Sequence, residues 1–234
     1  MTNPTGLQLV DGLVALAPPT LQDYINAASE YVRASSRLGD GAKKAAQIRL
    51  SAGLGAVLLA ELRTLLPLGA GAVSGEHPVS GALRTVNADV SESDALHGLR
   101  MAVEIKPVNL AVGRNIWNRF GDIRTFGVNL HLKFPFAVVG GILTIPTYEE
   151  ATRAGVVTRR DTTHLITRAV NRLVRAGGRI TEGDPPHLLE AVAVVVYDPD
   201  TSTLRDDVPP QGSGLRWPDF IFAMASTYQA RFVD

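Results

Sequence analysis

The sequence predicts an α/β fold with a central mixed β-sheet flanked by helices, preceded by an N-terminal helical extension. Three observations carry this. From residue 42 onward the periodicity reads helix, strand hairpin, helix, strand, helix, strand, helix, the alternation of a layered α/β domain. Residues 135–146 and 188–197 are almost continuously apolar, as suits strands buried on both faces beside parallel partners. Residues 86–91 and 98–107 instead alternate apolar with polar side chains, the pattern of a half-buried antiparallel hairpin turning around residues 92–97.

Taken in order, residues 7–17 form a short apolar segment closed by Pro18 and Pro19. Thr20 is a good N-cap for a helix in which Leu21, Tyr24, Ile25, Ala28, Tyr31 and Val32 recur at helical spacing, broken by Gly39 and Gly41. Residues 1–41 are therefore expected to be a helical layer packed on the core, and 42–234 the main body of one compact domain. A long helix over about 42–66 presents Ile48, Leu54, Val57, Leu58, Leu62 and Leu65 and stops at Pro67. Gly75-Glu76-His77-Pro78 reads as a turn. Residues 112–131 read as a helix with Ile116, Phe120, Ile123, Gly127 and Leu130 in one stripe. Residues 147–157 read as a connection with room for a short helical turn, and Asp161 as the cap of a helix that Gly177-Gly178 stops. Trp217-Pro218-Asp219 opens a last helix, expected to cover a sheet edge.

The chemistry concentrates on the hairpin. Strand alternation puts Met101, Val103 and Ile105 on one face and Ala102, Glu104 and Lys106 on the other. Val86, Ala88 and Val90 are likewise expected opposite Asn87, Asp89 and Ser91. Because residues directly opposite in an antiparallel pair share a face, Asp89 should lie across from Ala102 or Glu104, bringing Asp89, Glu104 and Lys106 together. Two carboxylates beside an ammonium suit metal-assisted phosphodiester hydrolysis: Mg²⁺ takes hard oxygen ligands, one or two of them carboxylates, and a lysine can hold water or offset phosphate charge.

Asp89 followed by Glu104-Ile105-Lys106 at the end of an apolar strand resembles the PD-(D/E)XK nuclease superfamily, which includes most type II restriction endonucleases. Ala88 stands where many members have proline. The resemblance implies a restriction-endonuclease-like core, with Asp89, Glu104 and the Ile105 carbonyl holding Mg²⁺ (Mn²⁺ being a possible substitute) and Lys106 serving the water. It further implies a homodimer cutting double-stranded DNA, with a possible functional pairing with a DNA methyltransferase. The family's helix before the hairpin sometimes lends a glutamate, for which Glu61 is the candidate and Glu76 an alternative; the other reading of Glu61 is a solvated helix carboxylate. Side chains after the Glu-x-Lys strand approach the scissile phosphate in the family, which makes Arg114, Asn115 and Arg119 candidates for DNA contacts. Arg168, Arg172, Arg175 and Arg179 recur at i, i+4, i+7 and i+11 with no acid between Thr162 and Thr181, and read either as a phosphate track or as a solvated face.

Composition limits the alternatives. The chain has 234 residues, is 45% hydrophobic and contains no cysteine, so neither disulfides nor thiolate zinc sites are expected and the cytoplasm is the default compartment. The first residues lack a signal-peptide pattern, and the apolar run 50–68 carries Glu61 and Arg63, so no membrane association is expected. The 23 basic residues balance 23 acidic ones, but only four are lysine, an arginine excess that suits bidentate phosphate or guanine contacts. There is no Gly-rich phosphate loop ending in Lys-Ser/Thr, no His-Glu-x-x-His, no Gly-x-Ser-x-Gly, and the five histidines lack metal-ligand spacing. The expected activity is a Mg²⁺-dependent, sequence-specific endonuclease. A repair, junction or phage-type nuclease on the same core, or a non-catalytic binding or structural α/β protein, are the alternatives.

Overall fold

The computed structural model describes residues 8–10, 13–15, 17–153 and 156–233. In chain order these form β1 (Gln8–Val10), β2 (Leu13–Ala15), α1 (Leu21–Ala34), α2 (Asp40–Leu65), β3 (Val73–Ser80), β4 (Thr85–Asp94), β5 (Gly98–Pro107), α3 (Val112–His131), β6 (Val138–Pro146), β7 (Tyr148–Arg153), β8 (Val156–Asp161), α4 (Thr163–Leu173), β9 (Ala191–Asp198), β10 (Thr203–Leu204) and α5 (Trp217–Phe232). The main sheet has the order β10-β9-β6-β5-β4-β3. Its centre, β5-β6-β9, is parallel, and both flanks are antiparallel, so the sheet is mixed.

The two continuously apolar runs become the sheet's middle for the reason their composition suggests. All nine residues of β6 are buried, because helices cover both of its faces. On one side α1, α2 and α5 pack through Tyr24, Ile25, Leu54, Leu58, Leu62, Phe220 and Met224 onto Val103, Ile105, Ile142 and Val195. On the other, α3 and α4 pack through Ile116, Ile123, Leu130, Ile166 and Leu173 onto Ala102, Val139, Leu143 and Val194. Thr20 caps α1 as its sequence suggests, in a reciprocal pair with Asp23. Helix α2 is long and apolar enough to cross a membrane, yet Leu50, Leu54, Val57, Leu58 and Leu62 face the core.

Gly140 and Gly141 in β6 let the two helical layers approach the sheet closely. A Cβ on Gly140 would lie 2.9 Å from Met224 Sδ of α5, and one on Gly141 would lie 2.4 Å from Ile123 Cγ2 of α3. Gly141→Ala must therefore displace Ile123. Overpacking of this kind costs about 1–3 kcal/mol, so the melting temperature should fall by several degrees in thermal denaturation; an unchanged value would mean that α3 yields freely.

Four expectations are corrected. The apolar segment at 7–17 is not helical where it is described: β1 pairs antiparallel with β2, and the Asp-Gly between them in the sequence is a strong two-residue hairpin signal. Gly75-Glu76-His77-Pro78 lies inside edge strand β3 rather than in a turn, at a position where Pro78's missing N–H is tolerated. The connection at 147–157 is an antiparallel hairpin, β7-β8. In its register Glu149 stands opposite Arg160 and Glu150 opposite Arg159, so it has little of the apolar alternation by which strands are read. Finally, α5 lies across β9, β6 and β5 instead of covering an edge.

Candidate functional site

The β4-β5 ladder pairs Val90 with Val103, a register that brings Asp89 level with Glu104. Beyond that pair the two strands part. The backbone N–H of Ile105, which the next ladder step would have satisfied, donates instead to Asp89 Oδ2 at 2.7 Å, and Asp89 Oδ1 accepts from the Ser51 hydroxyl of α2 at 3.0 Å. The N–H and C=O of one residue in an extended strand leave by the same edge. The Ile105 carbonyl therefore also faces the gap. The expected alternation of β4 breaks here: Val86 and Ala88 belong to the α3 side of the sheet and Val90 to the α2 side, so the strand rolls over at Asp89.

Strand β3 answers this roll with a bulge. Its pairing to β4 shifts between Ser74 and His77, leaving two residues, Gly75 and Glu76, against the single Asp89. Gly75 has φ +98°, which a glycine adopts at little cost. Bulges re-aim side chains, and this one turns Glu76 toward a cavity of about 400 Å³ that is also lined by Arg84, Asp89, Glu104, Lys106 and Asp122.

Electrostatically the cavity is starved of positive charge. Glu104 is buried and forms an ion pair with Lys106. Burial pushes its carboxyl up to about 7, against the lowering effect of Lys106 and with the negative charge of Asp89 adding to the rise. Burial likewise raises Asp89, opposed by the Ile105 N–H, Lys106 and Ser51. Glu76, Asp89 and Glu104 face Arg84 and Lys106 in one cavity, while Asp122, the fourth acid of its lining, is paired with Arg119. A divalent cation would relieve this imbalance. The donors are two carboxylates and a backbone carbonyl with open space beside them, the oxygen-only, incomplete set that Mg²⁺ accepts while keeping water. Among the described residues no three of His, Cys, Asp and Glu form a ready-made metal cage, which sets the site apart from a structural zinc centre.

The structure thus brings together Asp89, Glu104, Ile105 and Lys106, and adds Glu76, Ser51 and Asp122, which the sequence alone left unweighted or in second place. It does not bring in Glu61. That carboxylate accepts from the indole N–H of Trp217 at 2.9 Å, and it lies ten residues along α2 from Ser51, about 15 Å by helical rise. Arg114 is exposed in the first turn of α3, Asn115 donates to the Leu110 carbonyl, and Arg119 pairs with Asp122 at 2.9 Å. Arg168 and Arg172 both lie over the ring of Trp117, 5.1 and 4.1 Å from its centroid. Arg179, the last member of the arginine series, is buried beyond the end of α4 and is excluded from any surface track. No family model, curated protein or solved structure matches the chain.

Proposed function

We propose that the protein is a Mg²⁺-dependent endonuclease that hydrolyses phosphodiester bonds of double-stranded DNA, of the type II restriction class on a PD-(D/E)XK core. The observation that carries this reading is the convergence of Asp89, Glu104 and Lys106 on one cavity where β4 and β5 part. Asp89, Glu104 and the Ile105 carbonyl would hold the cation. When bound, the ion supplies positive charge against the charge that builds on the phosphate oxygens.

The chain's own groups account for the rest. The Lys106 ammonium, 22% exposed at its side chain and released from Glu104 once that carboxylate has another partner, donates a hydrogen bond to the attacking water and aligns it with phosphorus. The water oxygen bonds to phosphorus and gives up its proton to solvent, while the bond from phosphorus to the leaving ester oxygen breaks and that oxygen takes up a proton from solvent. Ser51 and the Ile105 N–H fix the orientation of Asp89, so its carboxylate needs little reorganisation. Arg114, Arg119, Arg168 and Arg172 lie on the α3-α4 side and are the proposed phosphate contacts along the duplex; Trp117 pre-orients the last two. Two strands must be cut, which favours a homodimer with two-fold symmetry, and a host genome carrying the same sites would need protection by a companion DNA methyltransferase.

Plasmid or phage DNA incubated with the protein and Mg²⁺ should give discrete fragments, with cutting lost in EDTA and restored by Mn²⁺. Ragged or structure-dependent cleavage would assign the same chemistry to a repair or junction nuclease, and no cleavage of any DNA would overturn the proposal.

A further inference from the structure

The turn between β3 and β4, residues 81–84, is held by a side chain with no part in the chemistry proposed above. Asn129 of α3 is fully buried, and its Oδ1 accepts from the backbone N–H groups of Leu83 (2.7 Å) and Arg84 (3.1 Å). Its Nδ2 donates to the Arg84 carbonyl at 2.8 Å, and its own carbonyl accepts from Ala82 N at 2.9 Å. Gly81 closes the turn onto the Arg84 carbonyl, and a Cβ there would lie 2.1 Å from Asn129 Nδ2. A surface turn rarely receives four hydrogen bonds from one helix residue, and the arrangement fixes the backbone of Arg84 on the protein's rigid layer.

The Arg84 side chain lines the same cavity as Asp89, Glu104 and Lys106, from the wall formed by the β3-β4 turn. It is exposed, and among the described residues it forms no ion pair: of the other acids lining that cavity, Asp122 is taken by Arg119 and Glu76 accepts from Asn87 Nδ2 at 3.3 Å. An arginine that has no carboxylate partner while its backbone is clamped is a donor fork held ready for an external anion. We propose that Arg84 grips a backbone phosphate of the substrate beside the scissile one and so sets where the strand lies across the cavity. This rests on the nuclease reading, and it adds a binding residue outside the Asp, Glu and Lys set.

The test uses a fluorescent DNA duplex of arbitrary sequence, several helical turns long, titrated by anisotropy over a range of salt concentrations. The proteins are Lys106→Ala, Lys106→Ala with Arg84→Ala, and Lys106→Ala with Arg84→Lys, each in the full chain. Loss of one phosphate contact per subunit should weaken binding by at least about tenfold near physiological salt and make the slope of log K against log salt shallower by about one for each subunit bound. Arg84→Lys should restore the slope, because it returns the charge, with melting temperatures unchanged throughout. Equal affinity and slope with and without Arg84, in a Lys106→Ala protein that does bind DNA, would overturn the role of Arg84 and leave the nuclease reading standing. No DNA binding by Lys106→Ala itself, with its fold intact, would overturn both.

Discussion

Replacing Asp89 or Lys106 with alanine, or Glu104 with glutamine, is expected to lower Mg²⁺-dependent DNA cleavage by about a hundred- to a thousandfold, the usual cost of removing a charge-stabilising group. The fold should survive each change, because the three side chains occupy a solvent-connected cavity and do not bridge the two helical layers. Stability separates this outcome from a merely structural one. The Glu104 carboxyl is raised from 4.5 to about 7. The folded protein therefore holds a proton there that the unfolded chain has already lost between those values. Stability accordingly falls as pH rises through that window, and the loss is complete above about pH 7. Glu104→Gln removes the penalty. In EDTA it should match the parent near pH 4 and exceed it at pH 8 by up to about 3 kcal/mol, the free-energy equivalent of the shift. A variant that is inactive yet more stable has lost a group kept for function at a cost in stability. Cleavage above a tenth of the parent's rate in Asp89→Ala or Lys106→Ala would remove those residues from the site.

Those three residues were readable because strand alternation has a period of two, and an apolar strand that ends in Glu-x-Lys shows both of its faces in the sequence. Helix α3 was readable to its observed ends, and α2 to within two residues at its start, since each carries an apolar stripe over many turns. What stayed hidden shares one physical cause: it depends on departures from regular periodicity. Glu76 reaches the cavity only because a one-residue bulge at Gly75 re-aims it, and a bulge displaces the alternation used to read the strand. Asn129 looked like one polar residue on a helix; its role is visible only once the β3-β4 turn lies against it. The β7-β8 hairpin escaped because β8 is exposed along its whole length, so it carries no buried face to mark it in the sequence. The arginine series failed differently. Its spacing fits a helix that ends at Leu173, so Arg179 does not continue the face that Arg168 and Arg172 occupy.

Arg179 leads to the largest expected loss of stability, from Glu190→Ala. The Glu190 carboxylate is enclosed at the start of β9 and accepts from Arg231 Nη1 at 2.8 Å, His131 Nε2 at 3.0 Å and the Val139 backbone N–H at 2.8 Å, with Arg179 Nε at 3.3 Å. Burial alone would raise its carboxyl. The hydrogen bond and charge of His131, the Val139 N–H and the charge of Arg231 outweigh that and hold it below the ordinary glutamate value. One carboxylate thus joins α3, β6, α5 and the segment after α4. Removing it leaves a buried guanidinium without its counter-charge, a change that costs about 3–5 kcal/mol. For a chain of this length that corresponds to a fall in melting temperature of roughly ten degrees or more. Glu190→Gln should cost less, because its amide oxygen still accepts while the charge is lost. The depressed carboxyl also fixes the pH dependence. Its contribution is present above the unfolded glutamate value and disappears as pH falls through the lower folded one, so the gap between parent and Glu190→Ala should narrow in acid. A gap that stays constant from neutral pH into the acid range would mean that Glu190 acts through packing alone. A melting temperature unchanged at neutral pH would mean that the two arginines find solvent as readily as they find the carboxylate.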